Sequence, residues 1–297
     1  MAYIKREFDI LVSSDPSLGA INVSNGVTDA GSRFSIPLPK SLQIPKNAQN
    51  VVVSPYQATV WWTVPNIILG VNSRFLVTQN DTQAIPVQSN YVLDIPTGLY
   101  DLPGLNSAIQ FQLSIAMANS STGFPGAQKA FMFTADNSTQ KVQFSILGPG
   151  AVTINFPAPG GFGPIMGFPS NTNINMSELA PNVASFNTIN SFLLNTDLVT
   201  QGFQINGNFS NTIAQVLINV APGFQIIYAP QKPPVIPCPE LSQGIRTILT
   251  FWLTDQNLRP VNTNGEFWTV QLHISYLEPV NPVGATPAFP NVRVFPS

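Results

Sequence analysis

Apolar and polar residues alternate along much of this chain, and the two-residue period of a β-strand recurs between turns rich in Pro, Gly, Asn and Asp. The last third shows it best. Over 267–276, Trp268, Val270, Leu272, Ile274 and Tyr276 share one face, and Thr269, Gln271, His273 and Ser275 share the other. The preceding strand, 245–253, points Ile245, Thr247, Leu249, Phe251 and Leu253 inward, while Ile248 and Trp252 make its other face apolar as well. A strand apolar on both faces needs a cover on each, from within the chain or from another subunit. Ile248, Trp252 and the lone His273 are therefore interface candidates.

Further strands are expected at 33–38, 51–62, 74–78, 90–95, 188–199, 213–220 and 224–229. The β-branched and aromatic runs Val51-Val52-Val53 and Val60-Trp61-Trp62 are strong strand formers. Phe131 and Phe133 alternate with Met132 and Thr134, and Val142, Phe144 and Ile146 follow the polar turn 136–139, which predicts a hairpin. One segment changes period. Leu105, Ala108, Ile109, Leu113, Ala116 and Met117 follow a helical spacing, with Asp101 and Pro103 ahead as start signals. Residues 147–185 read as a packed loop anchored by Phe156, Phe162, Ile165, Met166 and Phe168. Residues 1–30 are polar and read as an N-terminal arm, mobile or forming a peripheral strand. Residues 277–297 form a Pro-rich tail, extended where ordered.

Charge alters this picture more than any motif does. Only 9% of the 297 residues are charged, against roughly 25% in ordinary domains. No charged residue stands between Lys141 and Glu178 or between Asp197 and Lys232. With a net charge of -2, self-repulsion is weak and association is tolerated. The hydrophobic content of 44% places the chain among folded proteins. Its twelve Lys and Arg residues are scattered singly, without the basic stripe that nucleic-acid binding requires. The longest apolar-looking run, 51–71, is broken by Pro55 and Pro65 and is not a bilayer span. The first residues, with Lys5, Arg6, Glu7 and Asp9, lack the apolar core of a secretory signal.

Catalytic constellations are hard to assemble from this inventory. A Ser-His-Asp or Cys-His arrangement would have to use His273, whose setting on a polar strand face points to a surface or contact role. The single Cys238, between two prolines, excludes a disulfide framework and reads as a packed, inert thiol. Together with a single His it leaves no ordinary zinc site. Asp197, Glu240, Asp255 and Glu266 show no spacing that pairs two carboxylates on one face. The glycines of 148–150 and 160–163 lack the Lys and following helix of a phosphate cradle and read as loop positions at positive φ. Trp61, Trp62, Trp252 and Trp268 lie within strand patterns, which favours packing over a sugar-stacking platform. The expectation is of no enzyme and no cofactor.

Four landmarks carry a resemblance. Val12-Ser13-Ser14-Asp15 precedes the first expected strand, with Pro16 where a basic residue often follows; Ile95-Pro96-Thr97-Gly98-Leu99-Tyr100 leads into the helix. Gly163-Pro164-Ile165-Met166-Gly167-Phe168 follows the hairpin, and Thr254-Asp255-Gln256 with Asn264-Gly265-Glu266 shapes the C-terminal hairpin. In this order they resemble the minor capsid, or penton, proteins of virophages, Polinton-type elements and related large DNA viruses. The resemblance implies a single jelly-roll β-sandwich. Its eight strands would be 33–38, 51–62, 74–78, 90–95, 188–199, 224–229, 245–253 and 267–276, with 213–220 left over. A helix-hairpin-loop insertion of about 100–186 would fall between the fourth and fifth strands of a domain spanning 31–276. It also implies a structural virion protein at a vertex or another minor position of an icosahedral capsid. Its partners would be further copies of itself, as a homopentamer, and the major capsid protein. The alternative is a receptor- or glycan-binding module displayed on a virion.

Overall fold

The computed structural model describes residues 2–24, 26–80, 88–118, 131–147, 151–187, 189–205 and 207–280. Strands β1 (Ala2–Ser13), β2 (Arg33–Leu42) and β3 (Gln49–Trp61) come first. An inserted segment then carries β4 (Arg74–Asn80), β5 (Gln88–Asp94), α1 (Leu102–Ala118), β6 (Phe131–Asp136), β7 (Lys141–Ile146), β8 (Ala151–Asn155) and the short α2 (Gly163–Met166). The chain closes with β9 (Ser191–Thr196), β10 (Thr212–Leu217), β11 (Gln225–Tyr228), β12 (Arg246–Asp255) and β13 (Thr269–Val280).

Two antiparallel sheets face each other across one core. The first runs β1-β13-β3-β11, with Ile236–Pro237 also on β3, and the second runs β10-β9-β12-β2, capped by Ile21–Asn22. Eight strands in two four-stranded sheets of this order form a single jelly roll. Inward residues of β13 (Val270, Leu272, Ile274) meet those of β12 (Leu249, Phe251, Leu253), all buried. Trp268 sits at one end of this core, its ring 4.8 Å edge-on from Phe34 and its Nε1–H donating to the Gly31 carbonyl at 3.1 Å.

The roll was expected, but its strand membership differs. Residues 2–13, expected as a mobile arm or a peripheral strand, form a twelve-residue edge strand paired along its whole length with β13. Lys5, Glu7 and Asp9 hide the alternation, because they occupy the outward face while Phe8, Ile10 and Val12 pack on or in the core. The leftover strand at 213–220 is β10, a full member of the second sheet. Conversely, 74–78 and 90–95 belong to the insertion, which leaves the roll after Trp61 and returns at Ser191, between the third and fourth roll strands. Ile245 and Thr247 are exposed rather than inward. The β12–β2 register shifts between Arg246 and Ile248, opposite the segment of β2 holding Pro37 and Pro39. Prolines cannot donate to the ladder, so the strand bulges there.

The insertion owns a second core. A sheet of β8-β4-β5, extended by Asn173–Ile174, and a hairpin β7-β6, extended by Glu178–Leu179, close around Phe75, Phe131, Phe133, Phe144, Phe156 and Phe168. Helix α1 presents the buried Leu105, Ile109 and Leu113 to this core, as the spacing predicts. Asp101 starts it, its carboxylate accepting the Gly104 amide at 2.8 Å. The anchors Phe156, Phe162, Met166 and Phe168 are buried, whereas β8 within that segment was read as loop. Of the expected elements, loop residues 148–150, residue 188 of the strand 188–199 and the tail beyond Val280 lie outside the described residues.

Candidate assembly surfaces

The three predicted interface residues fall on the outward faces of opposite sheets and do not converge. Ile248 and Trp252 lie on β12, and His273 on β13. Ile248 is 51% exposed, opposite Pro37. Trp252 is half-buried, with the Arg33 guanidinium 5.1 Å from its ring centre. Its cross-strand neighbour Asn195 is buried, donating to the carbonyls of Leu193 and Trp252 and to Thr254 Oγ1 and accepting from the Thr212 hydroxyl at 2.6 Å. The centre of this outward face is thus closed within the chain, while its flanks at Ile248 and Leu217 stay open.

His273 stands at the β1–β13 seam. Its Nδ1 is 2.7 Å from Asp9 Oδ1, its Nε2 is 3.8 Å from Glu7 Oε2, and its ring stacks on Tyr56 at 4.9 Å. Glu7 in turn meets Lys5 at 2.6 Å, which holds the Glu7 carboxyl below its usual range and the Lys5 ammonium above its own. Ser54 is opposite His273 in the ladder, but among the described residues no hydrogen bond joins it to the ring. His273, paired with Asp9, clasps β1 to β13. Nothing in the sequence had flagged Glu7 and Asp9 as its partners, because they are more than 260 positions away.

The four candidate acids serve separate local tasks. Asp197 accepts the Thr250 amide at 3.0 Å, Glu240 accepts the Thr200 hydroxyl, and Glu266 lies exposed in the β12–β13 connection. The buried Asp255 closes its turn by accepting the amides of Asn257 and Arg259 and the Arg259 guanidinium at 2.8 Å. The Cys238 thiol is buried, donates to the Leu198 carbonyl at 2.6 Å, and is pushed up to about 12, chiefly by burial and then by Glu240. The expected role of the 160–163 glycines changes. Gly160 has φ 109°, but Gly161 and Gly163 are needed for close approach: a Cβ on either would come within 2.7 Å of Phe156. Trp62 and Trp268 are core residues, and Trp61 and Trp252 belong to different sheets, so the tryptophans make no common platform.

The landmarks prove to be structural joints. Ser14 accepts the Trp268 amide on its Oγ, tying the end of β1 to the start of β13, and the Tyr100 hydroxyl donates back to the Pro96 carbonyl at 3.0 Å. Gly167, at φ 88°, ends α2, and the Phe168 amide returns to the Gly163 carbonyl. A cleft of about 600 Å³ lies between roll and insertion, lined by Val64, Pro65, Ile68, Asp255, Arg259 and Pro260 among others, and its Asp255 and Arg259 satisfy each other.

Two virophage structures are similar to this chain. The mavirus penton protein, known from a crystal structure, has 10% identity and a TM-score of 0.43, covering 92% of this chain and 99% of its own. A chain of the Sputnik virophage, known from cryo-electron microscopy, has 14% identity and a TM-score of 0.37, covering 91% and 97%. No protein-family model matches the sequence, and no curated protein does. Among the described residues no group of His, Cys, Asp and Glu could hold a metal ion, and no helix is long and apolar enough to cross a membrane.

Proposed function

We propose that this chain is a structural subunit of an icosahedral virus particle, in the vertex (penton) position as a homopentamer against the major capsid protein, acting by packing without catalysis. The observation that carries the reading is apolar exposure on both sheets of a charge-poor roll. Phe224 and Ile227, each 63% exposed, flank the first sheet, and Ile248 with Leu217, 64% exposed, flanks the second. Residues 198–231 around the first pair carry no charge at all. In a colloidally stable monomer such flanks normally carry a mixed charged coat. The landmark motifs support the same reading, since each holds a joint of the fold. Ile248→Glu should leave folding intact and reduce co-sedimentation with the major shell protein at least tenfold; unchanged co-sedimentation of this variant and of Ile227→Glu would contradict the reading.

A second reading, a receptor- or glycan-binding module, is favoured by one feature of the insertion. A recess of about 320 Å³ on the β4-β5-β8 face is lined by the uncharged polar side chains of Thr78, Asn90, Thr153, Asn155 and Asn173. Thr78 donates to Asn90, and Asn155 to Asn173, both at 2.8 Å. Glycan-array binding that disappears in Asn90→Leu would shift the assignment to this module.

A further inference from the structure

Edge strands expose unpaired backbone groups, and proteins usually keep them short, bulged or covered. Three of the roll's four edges obey this. β10 has six residues, β11 has four, and β2 is capped at Phe34 and Ser35 by Ile21–Asn22 and interrupted beyond them by Pro37 and Pro39. β1 does not. It is twelve residues long, pairs with β13 without a register shift, and among the described residues no strand lies on its other side. Phe8 and Ile10, on its inward face, pack on the core rim but stay half-buried, and Glu7 and Asp9 stand on its outward face.

We propose that this edge accepts a strand donated by residues 291–295 of a neighbouring copy. The inference rests on the assembly reading above and adds the device that links subunits. β13 ends at Val280 opposite Ala2, at the N-terminal end of β1. Prolines 282, 287, 290 and 296 interrupt the segment 281–297, and Asn291-Val292-Arg293-Val294-Phe295 is its longest proline-free stretch with strand alternation. Laid on β1, Val292 and Val294 continue the apolar row of Phe8 and Ile10. Arg293, the sole charge of 281–297, then falls on the face of Glu7 and Asp9. Residues 281–291 reach roughly 35 Å when extended, enough to leave one subunit and enter the next.

The donor is a neighbour for a topological reason. β13 runs antiparallel to β1, so its own continuation would have to turn over the end of β1 and pair parallel to it, the weaker pairing per residue. A neighbour's tail can approach antiparallel. Donation from one copy to the next is head-to-tail and gives a ring when the rotation between copies closes, with backbone pairing supplying affinity and the alternate side chains supplying register.

The test compares the full chain with one ending at Val280 by sedimentation velocity, and titrates the shortened chain with a labelled peptide of residues 288–297. The shortened chain should lose the ring, or require at least tenfold higher concentration to form it, and should bind the peptide. An Arg293→Glu peptide should bind at least tenfold more weakly, with binding recovered when the acceptor carries Glu7→Lys and Asp9→Lys. Assembly of the shortened chain like the full chain overturns the proposal. Equal binding of both peptides also does. Peptide binding combined with an unchanged ring would mean pairing within one chain, and overturns exchange between copies. A full chain that is monomeric would instead sink the assembly reading itself.

Discussion

The roll and its insertion bury apolar surface in different ways. The roll's core is built from Val, Leu and Ile, with Phe34, Phe192, Phe251, Trp62 and Trp268 as its aromatic members. The smaller insertion relies on phenylalanine: Phe133 alone lies within 6.4 Å, centre to centre, of Phe131, Phe144, Phe156 and Phe168. Its sheet is also covered by α1, whereas the roll leaves apolar flanks on both sheets and, among the described residues, the outer edge of β1 without a partner strand. A small unit with little interior gains most from large rings that interlock. A sandwich of eight strands has a sufficient core and can leave its flanks for neighbours. On the proposed reading, one region is finished by folding and the other by assembly.

Core truncations should break this comparison most forcefully. Trp268→Ala and Phe133→Ala each remove a fully buried ring and should cost about 3–5 kcal/mol. If the cores are separate, Trp268→Ala abolishes amide protection in β12 and β13 first, and Phe133→Ala does so in β6, β7 and α1. Hydrogen exchange read by mass spectrometry distinguishes the two patterns, and equal loss in both regions would merge the cores into one cooperative unit. Asp255→Ala should come next. It strands the Asn257 and Arg259 amides in the turn that closes β12 beside the cleft, at a cost of about 1–3 kcal/mol, read as a lower urea midpoint with an unchanged slope.

The parts legible beforehand were those whose pattern is local. The helix was visible because Leu105, Ile109 and Leu113 repeat within one element, and the closing strand because Trp268 to Tyr276 alternate without interruption. β1 was hidden by being an edge: Lys5, Arg6, Glu7 and Asp9 in five positions read as an arm, although every second residue packs inward further along. Insertion boundaries were hidden for another reason. Strands of the two cores share one alternation, and only the ladder shows that β4 pairs with β8 and β5 while β3 pairs with β13. Of the candidate surface, Trp252 and Ile248 stood out as candidates through their two-faced strand, while the clasp of His273 with Asp9 depends on a pairing between the two ends of the chain.

Smaller effects sharpen the contrast. Arg33→Ala uncovers Trp252 and should cost about 0.5–1 kcal/mol at this half-exposed site, with red-shifted indole emission as the optical readout. Smallest is a pH effect in the insertion hairpin. Hydrogen bonds from the Ser138 and Thr139 hydroxyls and the Ser138 amide hold the Asp136 carboxyl below its ordinary 3.8. A depressed carboxylate stabilises the fold above the ordinary value, and that contribution is lost as pH falls through the lowered one. The β6–β7 turn should therefore loosen only below about pH 3.8, seen as faster exchange of the Ser138 amide, and Asp136→Asn should remove this pH dependence.

The account stands or falls on whether the open flanks of the roll are completed by other copies. Native mass spectrometry of the full chain, over a hundredfold range of concentration, measures this directly. A single closed species at five times the 32.1 kDa chain mass is the predicted result. A monomer across the whole range, unaltered by the major shell protein, would contradict it.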